Sequence, residues 1–390
     1  AYIALAINPA LANPSADNCL GANVAALDGT LTGAPAFGPA TPLIIAGMNN
    51  LAQVRDIGSN GDRYNQTSEN FAVFTHNIVH VTDTVDLTLG LRYTNETKDF
   101  DAAFSNDNVF CPQSRALLDG LLATPLGGLA AGLIGLSCQG NSTAELDGVT
   151  LSDQRKEDEF TGTAILSWKP DPDWMVYGSY SKGYKAGGFN LDRSALALPV
   201  EFDAATLDPS ALQFDAETVD AFEVGVKYSA RDWGFSVAAF RQEFSNFQLN
   251  TFNGTVFLVQ NINGCDTDLG GADRDGDGTT GSCAAENVAP GVIAQGVEFE
   301  ASVSPIRDLT MTMGLTYADT SYEDNLVGQD NGSPLDPALR LLPGDNLSNA
   351  PEVTATASLS WTPPIGNSGL SGLFFLNART TDDFNTGSDL

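Results

Sequence analysis

Positive charge is scarce in this chain: 18 Lys and Arg stand against 49 Asp and Glu, a formal charge of −31 over 390 residues. Affinity for phosphate backbones comes from Lys and Arg neutralisation, so a nucleic-acid-binding surface is excluded. Histidine is almost missing as well, with only His76 and His80. No Walker motif occurs and no glycine fingerprint sits between a strand and a helix as dinucleotide binding requires, so neither Ser-His-Asp chemistry nor nucleotide chemistry has residues to rest on, and the chain reads as non-enzymatic. Long apolar runs are missing too. The nearest approach to the roughly 18 residues that a membrane-spanning helix needs is 117–136, which Pro125 and several glycines interrupt. What is abundant points elsewhere: 39 Gly, 21 Phe and many Thr, Asn, Asp and Ser, with only 4 Met, favour strands and turns over helices. The fold class is all-β.

The strands show themselves by strict alternation. Leu87, Leu89, Leu91 and Tyr93 share one face, while Asp86, Thr88, Gly90, Arg92 and Thr94 share the other. The pattern returns at Val297, Phe299, Ala301 and Val303, again from Leu309 to Tyr317, and most cleanly at Val353, Ala355, Ala357, Leu359 and Trp361. Strands are expected at 2–8, 71–81, 85–97, 159–168, 174–184, 217–229, 233–249 (with an extension through 256–262), 292–304, 309–320, 353–362 and 370–380, about eleven in all. Short joins rich in Pro, Gly and Asp, at 82–84, 169–173, 230–232, 305–308 and 363–368, alternate with long polar joins at 98–158, 185–214, 263–291 and 321–350.

A water-soluble sandwich has no reason to sort its loops by length. A transmembrane barrel does, with short periplasmic turns and long external loops. The four tryptophans, Trp168, Trp174, Trp233 and Trp361, all fall beside short turns, where an aromatic girdle meets the headgroups. Strands of about 10 to 14 residues are long enough to cross hydrocarbon at a tilt. The architecture expected is therefore an antiparallel transmembrane β-barrel. The rival is a large soluble sandwich or solenoid that buries the same apolar faces inside the protein. Because bacterial single-chain barrels have even strand numbers, an odd count and the lack of a signal peptide predict a partial barrel, cut at both ends.

The segments ENFAVFTHNIVHVTDTVDLTLGLRYTNETKDF (from Glu69), WMVYGSYSKGYKAGGFN (from Trp174), ETVDAFEVGVKYSARDWGFSVAAFRQEFSNFQ (from Glu217) and GVEFEASVSPIRDLTMTMGLTYADTSYED (from Gly296) resemble the barrel half of TonB-dependent outer-membrane receptors. The resemblance implies a barrel of 22 strands around an N-terminal plug. Residues 1–390 would then be part of that one barrel domain, with the plug and the remaining strands absent. It also implies the outer membrane of a Gram-negative bacterium, with outer-membrane lipid and lipopolysaccharide around the barrel and the TonB complex engaged through the missing plug. The activity implied is uptake of a scarce, bulky nutrient, a small molecule or oligosaccharide such as a siderophore–iron complex, cobalamin or a glycan. A passive barrel, or a structural or adhesive surface β-protein, is the alternative.

Local motifs add candidate sites. Asp273, Asp275 and Asp277, followed by Gly278, form a DxDxDG run that can wrap oxygen ligands around Ca2+. Position 12 of an EF-hand loop would be Ala284, with Glu286 two residues late, so the choice lies between a calcium-stiffened 263–291 loop and a merely acidic solvated turn; no other cofactor is required. Cys265 and Cys283 bracket that run, and Cys111 and Cys138 bracket the longest loop; disulfides are expected in both, with zinc as an alternative that no CxxC or His cluster supports, and Cys19 is left over. On a strand, His76 and His80 stand about 13 Å apart and cannot chelate together. The apolar run 117–136 reads as a helical hairpin tethered by Cys111 and Cys138 over the barrel mouth, or as a partner-docking patch. Acidic external loops, as in Asp266, Asp268 and Glu286, disfavour a strongly anionic ligand.

Overall fold

The structure is a computed structural model that describes residues 27–30, 33–53, 58–139, 144–191, 193–196, 207–252, 257–269, 281–336 and 339–387. The chain divides into two compact units: residues 1–67, 98–154 and 189–213 form the first, and residues 68–97, 155–188 and 214–390 the second.

Ten strands form one open sheet in which each strand lies beside the next in sequence: β1 (Arg63–His80), β2 (Val85–Ala103), β3 (Thr150–Trp168), β4 (Trp174–Lys185), β5 (Glu217–Ser229), β6 (Trp233–Ser245), β7 (Val292–Ile306), β8 (Leu309–Tyr322), β9 (Val353–Trp361) and β10 (Phe374–Thr381). From β3 onward every neighbouring pair is antiparallel, an up-and-down meander with β1 and β10 at its edges. The sheet is an arc of a barrel, as the loop sorting foretold. The strand expected at 2–8 lies outside the described residues.

Short turns close the hairpins by local bonds: Val81 N–H donates to Val85 O (2.9 Å) and Ala230 N–H to Trp233 O (3.0 Å). Between β7 and β8, Asp308 takes a left-handed conformation (φ 65°), which Asp tolerates better than most residues, next to a register shift between Val303 and Ile306. Each turn is also stitched to its neighbour, since Lys169 N–H reaches Thr84 O (2.7 Å), Ser229 N–H reaches Asp173 O (2.9 Å) and Ser304 N–H reaches Asp232 O (2.7 Å).

Five strand limits differ from the sequence reading by more than two residues. β1, β2 and β3 run past the expected limits of 71, 97 and 159: RYNQTSEN and most of TLSDQRKED are polar, so alternation fades while the strand continues, and the added end of β2 carries Phe100 and Ala102 into a core of the first unit. Side chains take over there: Gln154 Nε2 donates to Asp99 Oδ1 (2.5 Å) and Ser152 Oγ to Asp101 Oδ1 (2.6 Å). β6 stops at Ser245 instead of reaching 249, because Asn246 sits at φ 51° and turns the chain out of the sheet. Its continuation forms a separate hairpin, Phe247–Phe252 against Phe257–Cys265, which also pairs with Val288–Ala289 and Leu326–Val327. β10 begins at Phe374 rather than 370; the chain before it narrows to a bridge between Pro364 and Ser371, with Gly366 and Gly369 at positive φ.

In the first unit three helices pack together: α1 (Thr41–Leu51), α2 (Phe110–Leu118) and α3 (Gly127–Gln139). Their shared core holds Ile44, Met48, Leu118, Leu133, Ile134 and the two half-cystines Cys111 and Cys138. The helical hairpin expected in the 117–136 run is formed by α2 and α3 over the wider span 110–139; Leu118, Leu121, Leu133 and Ile134 are buried in the core shared with α1, while Leu136 stays 48% exposed. A second core of the same unit gathers Phe100, Phe104, Leu146, Phe189 and Leu212, with Phe100 and Phe189 stacked at 4.6 Å.

Candidate functional site

Register turns alternation into two chemically distinct surfaces. Across the second unit, Trp168, Val176, Val226, Val237, Phe299, Leu315 and Ala355 stand directly opposite one another from strand to strand, so one face is apolar without a break. No described residue covers it: Val224 is 62% exposed and Met313 52%. At the short-turn margin the belt is bounded by Trp168, Trp174, Trp233 and Trp361, with Trp174, Tyr228 and Trp233 ring to ring at 4.8 and 4.5 Å. The opposite margin is drawn where polar side chains resume, with Tyr180 Oη on Asp220 (2.6 Å), Tyr93 Oη on Asp158 (2.7 Å) and Arg241 paired to Glu243 (2.7 Å). From Trp233 to Arg241 is eight residues, about 26 Å along the strand and about 20 Å in height at the tilt of an outer-membrane barrel, close to its apolar band of about 25 Å.

The other face is wet. Lys227, Ser236, Glu300, Gly314, Thr356 and Arg379 form one row in register across six strands. A groove of about 450 Å³ opens there, bordered by Lys227, Glu300, Thr312 and Thr356. Tyr177 donates its hydroxyl to Glu223, and the Lys227 ammonium lies 5.4 Å from the Tyr177 ring centre. The ring lies over Gly225, where an added Cβ would come within 2.5 Å of it, so glycine is what lets this aromatic lie flat on the wall.

Above the wet face a polar network ties strand ends to loops. Arg155 pairs with Glu157 (2.6 Å) and Asp215 (2.9 Å), and Glu157, nearly buried, also accepts the Gly187 N–H (3.0 Å). Gln248 donates to the carbonyls of Ala186 and Asp215 (both 3.0 Å), and Asn261 donates to Asp215 O (3.0 Å) and Asn246 O (2.8 Å). Arg155 and Glu157 of β3 thereby hold Gly187 and Asp215 to the sheet, and Gln248 and Asn261 tie the same residues' neighbourhood to the hairpin that follows β6. Nearby, partial desolvation raises the Glu323 carboxyl above its ordinary value against the opposing pull of Arg241, and Asp324, Glu243 and Asp266 push the same way as the desolvation. Its ionised form is thus the disfavoured one, and this group's contribution to stability declines as pH rises through its shifted pKa.

Cys111–Cys138 and Cys265–Cys283 are both disulfide-bonded, with Cα separations of 4.5 and 6.0 Å. Asp273, Asp275, Asp277 and Cys19 lie outside the described residues. His80 Nδ1 lies 2.5 Å from Asp86 Oδ1, and Asp86 also receives Lys169 Nζ (2.9 Å). His80 is thus a wall residue with a carboxylate partner. The Arg155–Glu157–Asp215 network escaped the sequence reading. Two opposite charges two apart on one strand were its only local signal, and Asp215 is distant in sequence.

An open-sided antiparallel meander with an apolar belt, aromatic margins and a wet inner wall is the wall of a membrane-spanning barrel. Residues 19–389 match the family described as TonB dependent receptor-like, beta-barrel, and the chain belongs to that family, whose members are non-enzymatic receptors. Among solved structures it is similar to the ferric yersiniabactin uptake receptor of Yersinia pestis, at 16% identity and a TM-score of 0.50, over 81% of this chain and 35% of that one. The siderophore receptor PiuA of Acinetobacter baumannii aligns at 17% identity and a TM-score of 0.45, over 76% of this chain and 32% of that one. The chain thus spans about a third of the length of these receptors. At 16% identity the likeness to the Yersinia pestis receptor speaks for the fold alone.

Proposed function

We propose that the protein to which this chain belongs resides in the outer membrane of a Gram-negative bacterium and takes up a scarce, bulky nutrient with energy delivered through TonB. The observation that carries this reading is the unbroken, uncovered apolar face backed by a polar wall. Lipid acyl chains and lipopolysaccharide suit the first surface, and a hydrated or protein-filled lumen suits the second. Family membership supports the dependence on TonB. The ligand is a small molecule or oligosaccharide of the siderophore–iron, cobalamin or glycan kind. The test is growth of a strain lacking the full-length gene on defined iron sources, on cobalamin and on glycans. Loss of growth on one of them, reproduced by deleting TonB, is the expected result. Uptake that persists unchanged without TonB would overturn the reading in favour of a passive or adhesive barrel.

The second element of the reading is Ca2+ at Asp273, Asp275 and Asp277. Its support is the spacing of three carboxylates followed by Gly278, within a loop whose ends Cys265 and Cys283 hold together. Millimolar calcium outside the cell is enough to fill even a weak oxygen site. Chelation is expected to expose residues 266–282 to protease, with protection restored by calcium but not by the Asp273→Asn/Asp275→Asn variant. Cleavage indifferent to chelator removes the site and leaves the uptake reading standing.

A further inference from the structure

The disulfide Cys265–Cys283 closes a segment of its own loop, yet the groups it positions belong largely to the next one. Cys265 N–H donates to Asn325 O (2.9 Å), and Cys283 N–H donates to Gly332 O (2.9 Å). Leu269 N–H, just inside the disulfide, reaches the Asn325 side-chain Oδ1 (3.0 Å). Asn263 and Gly264 pair in register with Val327 and Leu326. Val327, 0% exposed, forms one apolar cluster with both half-cystines. Gly332 has φ 73°, and a Cβ there would overlap the Cys283 carbonyl, so the second loop presses its backbone against the first.

A deeper core continues the union. Ile262 from the first loop packs with Tyr322, Leu326, Leu335, Leu339 and Leu342, and Gln260 Nε2 reaches Asp336 Oδ2 (3.0 Å). Loops that change shape independently keep few buried apolar contacts and expose their backbone hydrogen bonds. The described residues 246–252, 257–269, 323–336 and 339–342 have the opposite character.

We propose that Cys265–Cys283 is a cross-loop clasp that makes the external loops following β6 and β8 a single fixed body. A disulfide acts chiefly by restricting the loosened chain. Because both cysteines donate backbone hydrogen bonds to the neighbouring loop, the restriction is passed on to a segment that contains no cysteine. For uptake, and only this consequence rests on that reading, an arriving ligand meets a preformed wall here, and any closure falls to other loops.

The test is hydrogen exchange on the full-length receptor in detergent, which needs no ligand and no transport and therefore fails or succeeds independently of the uptake reading. Three forms are compared: wild type, Cys265→Ser/Cys283→Ser, and Gly332→Ala. In wild type the amides of Tyr322, Gly328 and Gly332 are expected to be protected well beyond free-loop rates. In the double variant Gly328 and Gly332 should exchange at least about tenfold faster, although the change lies in the other loop. Asn190, bonded to Leu212 O in the first unit (2.7 Å), should be unaffected. Gly332→Ala should reproduce the loosening with the disulfide intact, and it decides the matter if the double variant fails to assemble. Unchanged exchange at 323–342 in the variants, or free-loop exchange there in wild type, overturns the clasp.

Discussion

Leu315→Arg is expected to destabilise the full-length receptor in a bilayer by about 2–4 kcal/mol, whereas Thr316→Arg, one residue further along β8, should cost no more than about 1 kcal/mol. Leu315 lies in the middle of the apolar belt, six residues from Leu309 at the short-turn end of β8 and opposite Phe299 on one side and Ala355 on the other. An Arg there must hold its charge in hydrocarbon or drag water to it. Thr316 pairs with Glu298 and Thr354 on the wet face, where a guanidinium finds a carboxylate and solvent. Denaturant unfolding from lipid vesicles measures both. Equal costs, or a similar penalty for Leu315→Arg in a water-soluble form, would mean that protein rather than lipid covers the belt, and the membrane reading would fall. A neighbouring pair of positions thus separates a barrel wall from a soluble sandwich, the rival that composition alone leaves open.

The parts of this fold that could be read from sequence are those in which one physical rule acts over many consecutive residues. Lipid on one side and water on the other impose a two-residue period, so β5, β7, β8 and β9 emerge nearly residue for residue. Where both faces meet water, as in RYNQTSEN of β1, the period vanishes although the strand does not. Turns at Asp308 and the four tryptophans were visible because local backbone geometry and headgroup chemistry restrict which residues can stand there. The end of β6 was not, since a single left-handed Asn246 decides it while Phe244, Phe247 and Leu249 around it still read as strand residues. The loop bodies were hidden for a further reason: their cores join residues far apart, such as Ile262 with Leu339. Cysteine spacing exposed the two pairings but not the role of the second, because Asn325 and Gly332, which receive its backbone bonds, have no sequence mark.

Arg193→Ala is expected to cost the first unit about 3–5 kcal/mol, the loss typical of breaking one partner out of a buried pair. Its guanidinium is 3% exposed, lies 3.0 Å from Asp62 Oδ1, and sits 5.8 Å from the Phe104 ring centre. Asp62 is held independently of it, accepting Ser105 N–H (2.8 Å) and Ser59 Oγ (2.6 Å), so removing the arginine leaves a carboxylate fixed in place beside the space the guanidinium filled against Phe104. The stack of Phe100 on Phe189, four residues before Arg193, loses its anchor at the same time. Arg193→Met/Asp62→Leu, which removes both charges, should recover only part of the loss, because Ser105 N–H and Ser59 Oγ then lose the carboxylate that accepts from them. Arg193→Lys should recover little, since an ammonium cannot face a ring and a carboxylate with one planar group. Exchange of the Asn190 amide reports the opening of this unit without requiring global unfolding. Should Arg193→Ala leave that amide protected, Phe189, Asn190 and Leu212 would be held by their apolar core alone, and the arginine would not be what closes this unit.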